Sequence, residues 1–179
     1  IKDHEYHIVL GQRLASEINQ SDYEANFTFY EIPYRPATKA IHPWYSDKFL
    51  KEIEEKVKPE VLFTTSGPAY FKSKAPHLIG YNLPHYIYPE SPYFEKLSFF
   101  KKIKLNLKGK AIKYFYQKDA DAIVGQATDV TQRASNWLHI DKAYTVTNTC
   151  NAWYFKNEVP KVEMPTREID EFRLLYFSS

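Results

Sequence analysis

The chain reads as an α/β domain, a mostly parallel sheet flanked by helices. Three observations carry that reading. Short apolar runs of three to six residues, among them Val61 to Phe63, His77 to Asn82 and Ala122 to Val124, are separated by segments with helical spacing. Each run empties into small or polar residues, as a buried strand does where its carboxyl end meets solvent. Length and composition permit a packed core: 179 residues, 44% apolar and 17% aromatic.

Composition also narrows the classes of function. A net charge of +2 favours no particular partner. Cys150 is the single cysteine, which rules out an intrachain disulfide framework and leans towards a reducing compartment. No apolar run approaches the roughly 20 residues that a membrane span needs, and no signal peptide is visible. A cytoplasmic protein is therefore expected, with peripheral attachment to the inner face of the membrane left open.

In chain order, Glu5 to Leu10 is a strand followed by a Gly-containing turn. His4 and His7 flank it with no cysteine nearby, so surface roles are expected and no metal site is assigned. Asn26 to Pro33 alternates aromatic and polar residues and ends in a proline, the pattern of an edge or half-exposed strand. The loop Tyr34 to Pro43 carries Arg35 and His42 among prolines. From Trp44 to Lys56 a helix is expected, with Phe49, Leu50, Ile53 and Val57 as its buried stripe and Glu52, Glu54 and Glu55 on a solvated face.

Pro59 stops that helix, and the strand Val61 to Phe63 ends in Thr64 to Gly67. Small residues there let a ligand approach backbone amides, so Ser66 and Gly67 are candidate substrate contacts; an ordinary strand-to-helix turn would have the same sequence. The strand His77 to Asn82 empties into Leu83-Pro84-His85-Tyr86-Ile87-Tyr88-Pro89, which combines an amide, an imidazole and tyrosyl hydroxyls between two prolines. Asn82 and His85 are candidate catalytic residues there, and Tyr86 a candidate substrate contact. A lone histidine in an aromatic loop is as readily a packed or surface residue.

Ser91 to Lys118 is expected to be helical with an interruption near Gly109. Phe94, Leu97, Phe100, Ile103 and Leu107 recur at helical spacing and are expected to pack on the sheet, leaving the lysines solvated. A basic amphipathic segment also suits an anionic membrane surface, each nearby lysine contributing on the order of 1 kcal/mol. The run has no arginine and no defined aromatic groove, which argues against nucleic acid.

Lys118 to Phe155 holds the densest pattern. Ala122 to Val124 form a strand opening onto Gly125 and Gln126. Thr128 and Asp129 offer N-cap oxygens for a helix over Asp129 to Leu138. A strand over Ala143 to Val146 leads to Asn148-Thr149-Cys150-Asn151, with Phe155 beyond. Both polar clusters fall at carboxyl ends of strands, the edge at which open α/β sheets bind ligands, so Gln126 and Asn148 join the candidate contacts. A buried structural role is expected for Cys150.

This order resembles family 4 of the two-domain GT-B glycosyltransferases, whose second strand here usually ends in Asn-Gly-Val-Asp; Thr149 stands where that family has glycine. The resemblance spans about Glu5 to Ser179 and implies a Rossmann-like N-terminal, acceptor-side domain over 1–158, with the first βα unit of the family missing. It further implies an interdomain linker over 159–171 and the first strand of a truncated C-terminal nucleotide-sugar domain over 172–179. The implied activity is retaining transfer of a hexose from a nucleotide-sugar to a glycan or lipid-linked acceptor in polysaccharide or lipopolysaccharide synthesis. His85 or Asn82 would take the role of the family's histidine. Donor binding and the paired glutamates would lie in the C-terminal domain, so the fragment alone is expected to be inactive, and no cofactor is implied. A non-catalytic α/β binding domain, associated with a membrane surface, is the alternative.

Overall fold

The computed structural model describes residues 4–33, 36–37 and 48–147. Over these residues the protein is α/β, with parallel strands in two sheets flanked by helices.

The first sheet has two strands, β1 (Tyr6–Gly11) and β2 (Phe27–Ile32), paired in parallel from Tyr6 opposite Phe27 to Gly11 opposite Ile32. Stacking of Tyr6 on Phe27, 4.8 Å between centroids, marks that register. A short helix, α1 (Gln12–Glu17), begins where the sequence suggested only a turn. His7 does not sit free on the surface: its Nδ1 is 3.1 Å from the Tyr30 hydroxyl.

Helix α2 (Lys48–Val57) follows, and the expected start at Trp44 lies outside the described residues. Its stripe is only partly covered, since Leu50, Ile53 and Val57 are half-buried while Phe49 is exposed. Glu54 departs from the solvated face assigned to it. It accepts hydrogen bonds from the Ser73 hydroxyl and from the Lys74 amide at 2.7 Å, latching α2 to the segment before the next strand. Burial pushes its carboxyl up, but these donors and the Lys74 charge outweigh that and hold it below the usual range.

The second sheet is β3 (Leu62–Thr64), β4 (His77–Gly80), β5 (Ala122–Gly125) and β6 (Ala143–Thr145), in that spatial order and all parallel. Thr64, Ile79, Ile123 and Ala143 fall in one register row and so share a face. On that face pack α3 (Phe99–Asp119) and α4 (Thr128–Leu138), through Ile112 and Tyr116 of α3 and Ala134 and Leu138 of α4. Ile79 and Ile123 have no exposed surface, and each such side chain contributes roughly 1.5–3 kcal/mol of burial.

Three expectations about helices are corrected. α3 runs unbroken through Gly109, because that glycine faces the core and admits an aromatic ring against the helix; a Cβ there would lie 3.1 Å from the Tyr86 ring. Its apolar residues Phe100, Ile103 and Leu107 do not pack on the sheet but are exposed. The N-cap of α4 is Ala127, with no side-chain capping bond from Thr128 or Asp129. At its other end His139 takes the left-handed conformation (φ 57°) and the Ile140 amide returns to the Ser135 carbonyl at 3.2 Å.

Candidate functional site

Because β3 to β6 are parallel neighbours, their carboxyl ends share one edge, and the described strand-end residues Ser66, Gly67, Asn82 and Gln126 lie along it. Gly80 organises the junction of β3 and β4. Its carbonyl accepts from the Gly67 amide at 3.2 Å and from the buried Tyr116 hydroxyl at 3.0 Å. Gly67 has φ of 75°, the left-handed region that glycine tolerates, so the Thr65-Ser66-Gly67 turn can fold back onto β4. A side chain at Gly80 would collide with the Thr65 carbonyl. Ser66 and Asn82 are exposed on this edge, as is Gln126 after β5. Asn148, with the linker and the strand expected beyond it, lies outside the described residues.

From β4 the chain enters a short 3-10 turn, Pro84–Tyr86, which carries His85 and Tyr86. Two anchors fix this segment. The Tyr81 hydroxyl donates to the Leu83 carbonyl at 2.8 Å. Arg133 of α4 donates to the Ile87 carbonyl at 3.2 Å, pairs with Glu90 at 2.7 Å and Asp129 at 3.1 Å, and lies 4.6 Å over the Tyr88 ring. Tyr88 in turn donates to Asp129 at 2.6 Å; that bond first, and Arg133 second, hold the Asp129 carboxyl below its usual range.

His85 and Tyr86 line a groove of about 550 Å³ between this segment and α3. Tyr86 stacks parallel on Trp137 of α4, with centroids 5.4 Å apart and planes within 4°, and Gly109 of α3 lies against both rings. The His85 ring is 4.1 Å from Tyr86. Lys102, Asn106, Lys110 and Lys113 form the α3 wall, and Glu95 stands among them. Burial, with the Lys108 charge added, pulls the His85 imidazole below its ordinary pKa. At neutral pH the ring is therefore neutral, one nitrogen donating and the other accepting.

The groove joins His85 and Tyr86 but not the remaining candidates: Asn82, Ser66, Gly67 and Gln126 share the sheet edge without lining it. Sequence reasoning missed the α3 wall and Trp137. The signal was present, since 102, 105, 106, 109, 110 and 113 recur at three- and four-residue steps along one helix face. Among the described residues no three His, Cys, Asp or Glu side chains come together as a metal site requires. Comparison with protein-family models, with curated proteins and with solved structures returns no match to this chain.

Proposed function

We propose that this chain is the acceptor-side domain of a retaining, nucleotide-sugar-dependent glycosyltransferase of GT-B family 4, acting at the cytoplasmic face in polysaccharide or lipopolysaccharide synthesis. The observation that carries this is the place of His85. It follows β4 by five residues on the carboxyl edge of a parallel sheet and lines a groove within the roughly 300–1,000 Å³ typical of small-molecule clefts.

In such a transfer the bond from the anomeric carbon to the diphosphate breaks and one to the acceptor oxygen forms on the same face. The acceptor proton leaves with the nucleotide product. A neutral His85 imidazole would donate a hydrogen bond to a sugar hydroxyl or to the charge developing on the diphosphate. Tyr86 would contact the acceptor, and the lysines of α3 suit an acceptor that carries negative charge. Asn82, Ser66, Gly67 and Gln126 would reach substrate from the strand-end side.

The test is transfer of labelled hexose from nucleotide-sugar donors to glycolipid extracts by the full-length protein. His85→Ala is expected to lower turnover about 100-fold without lowering the melting temperature. If no donor labels any acceptor while sugars still perturb groove resonances, the non-catalytic α/β binding domain takes over.

A further inference from the structure

We propose that α3 seats the protein on an anionic lipid bilayer through a second apolar stripe, Phe100, Ile103, Leu107 and Tyr114, which the core does not use. These side chains are 81%, 43%, 62% and 58% exposed, and Phe99 beside them is 71% exposed. At 100° per residue the four fall within a sector of about 60°, on the side of the helix away from the buried Gly109, Ile112, Tyr116 and Asp119. Single exposed apolar residues are ordinary; a continuous row of them marks a surface that something covers.

The charges around the row say what covers it. α3 carries seven lysines and no acidic residue before Asp119. Lys104 and Lys108 flank the stripe on one side and Lys110 on the other. Protein interfaces are depleted of lysine, whereas an apolar stripe edged with lysine is the pattern of a helix lying in the headgroup layer. Lysine stems cover apolar surface while their ammonium groups reach phosphate. No described helix is long and apolar enough to cross a membrane, so the contact lies in the interface plane. On the same helix the groove-lining residues lie next to the stripe, which would open the groove beside the lipid surface. The proposal does not depend on the transferase reading.

The experiment is cosedimentation of the full-length protein with phosphatidylcholine vesicles, with and without about one third phosphatidylglycerol. Binding is expected only with the anionic lipid, weakening as salt rises. Phe100→Ser with Leu107→Ser is expected to cut partitioning by about tenfold or more, and Lys104→Glu with Lys108→Glu likewise. Lys142→Glu, at an exposed site elsewhere, is expected to leave it unchanged. Melting curves like wild type show that the variants fold. Absence of binding to anionic vesicles, or binding that survives the stripe substitutions, overturns the proposal. So does a dimer, seen by light scattering, that those substitutions dissolve while vesicle binding persists.

Discussion

Tyr86 lies parallel to the Trp137 indole within 4°, and Gly109 meets both rings: a Cβ there would stand 3.1 Å from Tyr86 and 3.8 Å from Trp137. The floor of the groove is thus set by a glycine on one helix and a tryptophan on another. By helix propensity alone, Gly109→Leu should stabilise α3 by nearly 1 kcal/mol. A side chain there would crowd both rings, and overpacking costs about 1–3 kcal/mol. Net destabilisation is expected in denaturant titration, with Tyr86 displaced and the groove narrowed; a more stable variant would show that the ring moves aside freely.

The Tyr86 hydroxyl is buried and has no hydrogen-bond partner among the described residues. Burial leads the causes that raise its pKa. An unpaired buried hydroxyl costs about 1–3 kcal/mol, so Tyr86→Phe should be neutral or gain up to about 1 kcal/mol, while Tyr86→Ala should lose about 3. With the hydroxyl buried, only the ring can meet a ligand, so Tyr86→Phe is expected to keep acceptor binding and Tyr86→Ala to lose it. Thermal melts beside binding assays check this: weaker binding by Tyr86→Phe at unchanged stability would show that the hydroxyl turns into the groove.

The parallel sheet and its sequence-neighbour pairings were legible because Ile79 and Ile123 sit in apolar runs separated by helical segments, and such units cross over in parallel. The division into two sheets was not, because no local pattern says that Ile32 and Leu62 fail to pair. Gly109 misled for a related reason. Its low helix propensity is local, whereas the Tyr86 ring that needs it comes from 23 positions earlier in the chain. α3 carries two apolar rows, and periodicity cannot tell which meets the core. Ile112 and Tyr116 do; Phe100 and Leu107 do not.

His77 makes stability depend on pH. It is 1% exposed, its Nε2 lies 2.9 Å from the Thr64 hydroxyl, and burial, only partly opposed by Asp121, lowers its pKa to about 4. In the unfolded chain it titrates near 6.5, so between these values the unfolded state binds more protons. Stability from this group is full above pH 6.5 and is lost as pH falls towards 4, by about 3 kcal/mol in all. His85, also lowered, adds in the same direction. The Asp121 and Glu54 carboxyls, held below their usual values against burial, act only at still lower pH. Urea melts from pH 7.5 to 4.5 should show the decline, and His77→Gln should flatten it even if it lowers stability at pH 7.5.

Arg133 holds the His85 segment by its shape as much as its charge. One guanidinium meets Glu90, Asp129, the Ile87 carbonyl and the Tyr88 ring. A lysine at that position carries the charge but not the planar fork, and cannot make these contacts together. The ion pairs are exposed and salt-screened, so global stability should change little in Arg133→Lys. Local order should change more. The amides of Ile87, Tyr88 and Ser91, bonded to the Pro84 and Tyr88 carbonyls, should exchange severalfold faster, while those of β4 and β5 keep wild-type protection. Hydrogen exchange read residue by residue decides it: unchanged protection at all three amides would mean that the Tyr81 to Leu83 bond and the stack on Trp137 suffice to hold His85 over the groove.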